Sequence, residues 1–198
     1  MGNYIEKGIK SFEKFDVNSL NAADIVELEY TAMVYYYLKK VFRRALDNKD
    51  YQEVFRKYFF DFYRVPRVKK DDYYEKLFSE DYSTYNLDNL ERKAVELFDN
   101  KSVQFSFVTK MMNMHNEDYP IYDSFVAKAF GFKAVSLPVD VKGKISVLCG
   151  FYRVMEETYH ELENHSKIGD FMAKIGDKYG KISIKRALDL IFWQLGKK

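Results

Sequence analysis

Residues 105–131 read FSFVTKMMNMHNEDYPIYDSFVAKAFG. We expect the fold to be centred on the turn in this stretch. Apolar residues recur at helical spacing as far as a polar turn at Asn116–Tyr119. A proline then restarts the chain, and Asp123 falls at or just inside the start of a second helix. The stretch therefore predicts a helix–turn–helix hairpin with Lys110 on its first helix and Asp123 at the start of its second.

Helical periodicity also dominates outside this hairpin. Three prolines and nine glycines in 198 residues provide few turn signals, and no segment alternates convincingly as a strand does. We predict an all-α fold, a compact multi-helix domain of about eight to ten helices. A single domain over residues 1–198 is expected, and two helical lobes at 1–100 and 101–198 with a cleft between them are the alternative.

Four polar residues are predicted to cap helices, because their side chains can accept the unpaired backbone N–H groups of a first turn. They are Asn21, Asp50, Asp140 and Ser183. The helix after Ser183 reads IKRALDLIFWQLG and has a strong apolar stripe that we expect to close the core. Within it, Asp189 and Trp193 are one turn apart, which would suit a surface contact if that face were exposed.

Composition excludes several classes of protein. The single cysteine, Cys149, excludes an internal disulfide and any metal site built on several thiolates. No run of apolar residues approaches the length of a membrane helix, and the N-terminus lacks the apolar core of a secretion signal. We therefore predict a cytoplasmic protein with no membrane partner.

Neither a cofactor nor a metal ion is predicted. Glu157, His160 and Glu161 share one helix face at ligand spacing, but no companion motif supplies further ligands. A solvated polar face is the favoured interpretation of these residues. The chain also lacks a glycine-rich phosphate loop and the GxSxG motif of serine hydrolases.

Charge and aromatic content bear on nucleic-acid binding. The net charge is only +2, whereas a strongly basic domain is the usual footprint of a nucleic-acid-binding protein. Basic residues nevertheless cluster locally, at 39–44, at 64–70 and near the C-terminus. The 17 tyrosines and 17 phenylalanines suit either base stacking or an aromatic-rich core, and the core is favoured.

Asp123 is the carboxylate with the most chemical promise. At a helix N-terminus, unpaired N–H groups and the helix dipole would hold it ionised. A charged carboxylate in a cleft could stabilise an oxocarbenium-like centre or deprotonate a nucleophile. The competing interpretation is that Asp123 or Ser124 serves only as an N-cap.

Lys110 and His115 lie on the preceding helix. Desolvation among neighbouring apolar side chains would depress the pKa of Lys110 and make it an amine nucleophile. The alternative is a lysine that extends from the helix edge into water. His115 suits a proton carrier, a base contact or a partner for the C-terminal helix dipole, and the last is favoured.

The segment Ser106–Phe132, with FVTKMMNMHNEDYPIYDSFV at its centre, resembles the helix-hairpin-helix superfamily of DNA glycosylases. It is most similar to an 8-oxoguanine-glycosylase-like branch of uncharacterised bacterial proteins. The closing IKRALDLIFWQLG is similar to the final helix of that group. The resemblance implies two helical subdomains that clasp double-stranded DNA and a damaged base flipped into a pocket between them.

The resemblance also implies residue roles. Asp123 matches the family's aspartate, whereas the family's catalytic lysine corresponds to Phe105 or Gln104 here, and Asn100–Ser102 replaces its glycine-rich hairpin. Lys110 and Lys101 are therefore the substitute candidates for the lysine that attacks the sugar C1′ and forms a Schiff base.

The sequence thus favours a DNA-binding protein that resembles a base-excision DNA glycosylase, a hydrolase acting on N-glycosyl bonds. The alternative is a non-enzymatic helical module that binds nucleic acid or protein, of the kind found in mobile elements and defence loci. The candidate catalytic residues are Asp123, Lys110 and Lys101. The candidate nucleic-acid contacts are Ser102, Gln104, His115, Tyr122 and Ser124.

Overall fold

The computed structural model describes residues 2–63, 75–98, 105–133, 140–176 and 182–197. These residues form ten α-helices and two short 3-10 turns, and they contain no strand. The predicted all-α fold is confirmed. The helices are α1 (Gly2–Glu13), α2 (Ala22–Ala45), α3 (Lys49–Phe62), α4 (Lys76–Ser79), α5 (Leu90–Phe98), α6 (Phe105–His115), α7 (Ser124–Ala129), α8 (Val141–Leu162), α9 (Ser166–Ile175) and α10 (Ile184–Lys197).

Three of the four predicted caps are confirmed. Asn21 forms a reciprocal capping box with Asp24 at the start of α2, and the Asp140 carboxylate accepts the Gly143 N–H at the start of α8. The Ser183 hydroxyl accepts the Arg186 N–H in α10 at 3.1 Å.

The cap predicted at Asp50 is wrong. The Asn48 side chain instead accepts the N–H groups of Asp50 and Tyr51, so α3 begins at Lys49. Asn and Asp are nearly equivalent as caps, so residue type alone did not separate Asn48 from Asp50.

The chain forms two compact units that are interleaved along the sequence. Unit 1 comprises Met1–Leu20, Tyr82–Lys174 and Ser183–Lys198, and unit 2 comprises Asn21–Asp81 and Ile175–Ile182. The prediction of one domain, with lobes at 1–100 and 101–198 as the alternative, stays a prediction.

Unit 2 is built on the pairing of α2 with α3. Aromatic rings fill the space between them, with Phe42 and Phe55 at a centroid distance of 5.0 Å and Phe78 edge-on to Phe55 at 5.6 Å. Phe42 and Phe55 are fully or almost fully buried, so in this unit phenylalanine serves the core.

Unit 1 contains the predicted hairpin, and its core is centred on α8 and α10. Phe192 of α10 stacks on Tyr159 of α8 with a centroid distance of 5.4 Å, and Phe130 packs against the Phe192 ring at 4.6 Å. The predicted core-closing role of the last helix is thus confirmed. Gly131 ends the α7 segment with a φ of 69°, a conformation that favours glycine.

Candidate functional site

Asp123 lies at the start of α7 as its N-cap. Its backbone is extended, with φ of −138° and ψ of 154°, and its Oδ1 accepts the Phe125 N–H at 2.8 Å. The residue is half-buried, so part of its surface remains accessible to solvent. Asp123 is therefore the N-cap of α7, and capping leaves one carboxylate oxygen for other contacts.

Lys110 lies on α6 and is half-buried. Its Nζ donates to the Ser106 hydroxyl one turn earlier at 2.7 Å. The pKa of Lys110 is lowered to about 8, chiefly by burial, with a smaller contribution from the positive charge of Arg186. The desolvated interpretation thus describes this lysine better than the one in which it extends into water.

The charge of Asp123 acts on Lys110. The negative charge of Asp123 raises the pKa of Lys110 and so partly opposes the effect of burial. A carboxylate that solvent can reach thus lies near an amine that titrates close to neutral pH. That combination suits nucleophilic or acid–base chemistry.

The turn between these residues is fixed from the α6 side by two polar side chains. The Asn113 amide donates to the Tyr119 carbonyl at 2.7 Å, and the Thr109 hydroxyl accepts the Tyr122 N–H at 3.1 Å. Both side chains belong to fully buried residues. Because buried polar groups need partners, these bonds fix where the chain leaves the turn.

Two further helices hold the same segment from the other side. The Tyr152 hydroxyl on α8 donates to the Pro120 carbonyl at 2.7 Å. The Asp189 carboxylate on α10 accepts the Ile121 N–H at 3.0 Å and the Tyr159 hydroxyl at 3.0 Å. Four consecutive residues, 119–122, are therefore each bonded through their backbone to a buried side chain, which sets the position of Asp123.

The expectation that Asp189 could mark a surface contact is wrong. Its residue is only 2% exposed, because its carboxylate is needed by the turn beneath α10. Burial raises the pKa of Asp189 to about 7, against the opposing charge of Arg186, whose guanidinium lies 3.6 Å from Oδ2. The charge of the same buried Arg186 also lowers the pKa of Lys110, so Lys110 and Asp189 are both influenced by one arginine.

Tyr122 lies directly before Asp123 and is half-buried. Its ring is edge-on to Phe105 at 5.5 Å and to Phe151 at 6.1 Å. Burial and the charge of Asp123 both raise the pKa of its phenol, which is therefore protonated at neutral pH. It can serve as a hydrogen-bond donor beside the carboxylate.

Of the remaining predicted contacts, the structure describes two. His115 is the half-buried last residue of α6, and Ser124 is the exposed first residue of α7. Lys101, Ser102 and Gln104 lie outside the described residues.

Sequence reasoning missed Thr109, Asn113, Tyr152 and the true role of Asp189. Asp189 gave the strongest available signal, as an acidic residue in the middle of the apolar run ALDLIF.

Other residues with chemical potential do not add to this site. Cys149 is buried, and burial raises its pKa to about 12, so it is not a thiolate at neutral pH. Glu157, His160 and Glu161 are all exposed on α8. Across the described part of the chain, no group of three or more histidine, cysteine or acidic side chains is arranged to hold a metal ion.

No protein-family model, curated protein or solved structure matches this chain. Among the described helices, none has both the length and the apolar character that a membrane span requires. Interpretation of the site therefore depends on its own geometry.

Proposed function

We propose that this chain is a DNA-binding protein that resembles a base-excision DNA glycosylase, with Lys110 as nucleophile and Asp123 as its electrostatic partner. One observation carries the proposal. A lysine whose pKa is lowered by burial lies within the field of a carboxylate that solvent can still reach. A hairpin whose turn is hydrogen-bonded on both sides presents the pair.

The lowered pKa matters because only the neutral amine is a nucleophile. With a pKa of about 8, roughly one fifth of Lys110 would be neutral at pH 7.4, against about one part in a thousand for an ordinary lysine. Burial thus raises the reactive fraction by about two orders of magnitude before any substrate is bound.

The proposed reaction starts at C1′ of the damaged nucleotide. The Lys110 amine attacks this carbon, so an N–C1′ bond forms while the N-glycosidic bond breaks. The electron pair of the broken bond leaves with the base, which takes up a proton. The sugar ring then opens to an imine, and the ring oxygen takes up the amine proton.

Asp123 has two tasks in this scheme. Its negative charge stabilises the positive charge that develops at C1′, and its carboxylate can accept the proton that the amine loses. Tyr122 and Ser124 lie on either side of Asp123 and are the proposed contacts to the flipped nucleotide. His115 is the proposed contact from the end of α6.

A non-enzymatic module that binds nucleic acid or protein is the second candidate. The near-neutral net charge of +2 favours a module that binds protein, because a strongly basic domain is the usual footprint of a nucleic-acid-binding protein. Such a module would bind without forming any product.

Borohydride trapping on duplex DNA containing an abasic site or an oxidised base tests the proposal. The imine would be reduced to a stable covalent complex. We expect the complex with the wild-type chain and its loss in Lys110→Gln, while Asp123→Asn should slow its formation by at least about 100-fold. Lys128→Gln is the matched control, because Lys128 is an exposed lysine on α7.

The other outcomes separate the candidates. Loss of trapping in Lys101→Gln but not in Lys110→Gln would transfer the nucleophile to Lys101 and contradict the role of Lys110. Salt-dependent binding with no product from any substrate would contradict catalysis and support the second candidate. Absence of both DNA binding and turnover would contradict any nucleic-acid role.

A further inference from the structure

Helix α2 of unit 2 has a second apolar face that points to solvent. Val26, Tyr30 and Tyr37 are 64%, 60% and 52% exposed, and the half-buried Met33 lies between the two tyrosines. With 3.6 residues per turn, these four positions form one stripe along the helix. We call it the α2 stripe.

The α2 stripe is distinct from the face that packs against α3. The buried positions of this helix lie on its other side, at Leu28, Tyr35, Leu38, Phe42 and Ala45. Single exposed apolar residues are common on any protein, whereas an aligned series of large ones marks an interaction surface.

Charge divides α2 into an acidic and a basic half. Glu29 lies beside the α2 stripe in the first part of the helix, whereas the exposed Lys40 and Arg44 lie beside it in the last part. A second α2 packed in parallel would place like charges together. Packed antiparallel, it would bring Glu29 of each copy towards the basic end of the other, which is the pairing that electrostatics favours.

The positions of individual residues fit a two-fold axis near the middle of the helix. Ala22–Ala45 has its midpoint between Met33 and Val34, and Tyr30 and Tyr37 are equally far from it. Glu29 and Lys40 are three turns apart and therefore lie on the same flank of the α2 stripe. Lys40 is held beside the stripe, with its Nζ 4.3 Å from the centroid of the Tyr36 ring.

We propose that the α2 stripe is a homodimer interface in which α2 of a second copy packs antiparallel. Each Tyr30 lies near the other copy's Tyr37, and each Glu29 lies within side-chain reach of the other copy's Lys40, offset by about two residues along the helix. The interface is self-complementary, as a two-fold dimer requires. The proposal does not depend on the function proposed for unit 1.

Mass measurement by sedimentation or light scattering over a range of concentrations tests the dimer. We expect the wild-type chain to reach twice its monomer mass, and Tyr30→Glu to raise the dissociation constant by more than about tenfold. Tyr58→Glu is the matched control, because Tyr58 is 55% exposed on α3, outside the α2 stripe. It should leave the dimer intact.

Charge exchange tests the orientation. Glu29→Lys and Lys40→Glu should each weaken the dimer, because each places like charges opposite one another. The double variant restores opposite charges in the antiparallel arrangement and should recover the affinity. Failure of the double variant to recover would contradict the proposed pairing.

Disulfide trapping gives a second test that does not depend on affinity. In the antiparallel dimer, Met33→Cys lies next to the two-fold axis and should cross-link to its own copy under oxidation. Val26→Cys should not, because the two copies of this residue would lie at opposite ends. The buried Cys149 serves as the internal background.

Three results would overturn the proposal. The first is a wild-type chain that stays monomeric at about 100 µM, a concentration well above the Kd of an ordinary specific interface. The second is cross-linking through Val26→Cys but not through Met33→Cys. The third is a monomeric wild-type chain whose DNA binding is abolished by Tyr30→Glu, because the α2 stripe would then be a nucleic-acid-binding surface.

Discussion

The close approach of α10 to α7 yields the sharpest stability prediction. A Cβ placed on Gly196 would lie 1.8 Å from the Phe125 carbonyl oxygen and 2.5 Å from its carbonyl carbon. These are backbone atoms, so no side-chain rotation relieves the clash. Gly196→Ala must therefore push α10 and α7 apart. Overpacking typically costs about 1–3 kcal/mol, and we expect the upper part of that range, about 3 kcal/mol.

For a chain of this size, that cost corresponds to a Tm lower by about 6–12 °C. Thermal and urea unfolding followed by circular dichroism measures it. Gly169→Ala is the matched control, because its Cβ would meet nothing within 4 Å on α9, and it should stabilise by about 0.5–1 kcal/mol. A Gly196→Ala variant as stable as the wild-type chain would refute the α7–α10 contact.

Three further perturbations test the contacts around the turn and the caps. Tyr152→Phe leaves the buried Pro120 carbonyl without its 2.7 Å donor and should cost about 1–3 kcal/mol in urea unfolding, whereas an unchanged midpoint would contradict this bond. Burial raises the folded-state pKa of Asp189 from 3.8 to about 7, so its contribution to stability is full below about pH 4 and is lost as the pH rises to about 7. The free energy of unfolding of Asp189→Asn, measured against pH, should lack this component. Identical pH profiles for the variant and the wild-type chain would contradict the shift. Asn21→Ala removes the capping box of α2 and should cost about 0.5–2 kcal/mol, and no loss of stability would show that the cap contributes nothing.

The local elements were the part of this fold that the sequence could predict. Helix starts at Asn21, Asp140 and Ser183 depend on the residue at the cap and its immediate neighbours, so they are encoded locally. Asp123 was recognised as a residue at a helix start for the same reason. Asn48 and Asp50 are two residues apart and similar as caps, and this similarity produced the one wrong cap among the four.

The surroundings of the site could not be read from local patterns. The turn at 119–122 is held by Tyr152 and Asp189, which are distant in sequence and meet it only through tertiary packing. Periodicity identified α10 as the closing helix but gave no partner for its acidic residue. The division into interleaved units likewise depends on which helices pack together, a property of the folded chain.

The chemistry proposed for this site requires Lys110 to be a desolvated amine in the field of Asp123. An NMR titration of the lysine side chains, with Lys110 assigned through Lys110→Arg, measures this directly. We predict a pKa of about 8 for Lys110 and a lower value in Asp123→Asn, because the carboxylate stabilises the charged amine. A pKa close to 10.5 in the wild-type chain, or one that does not respond to Asp123→Asn, would contradict the account.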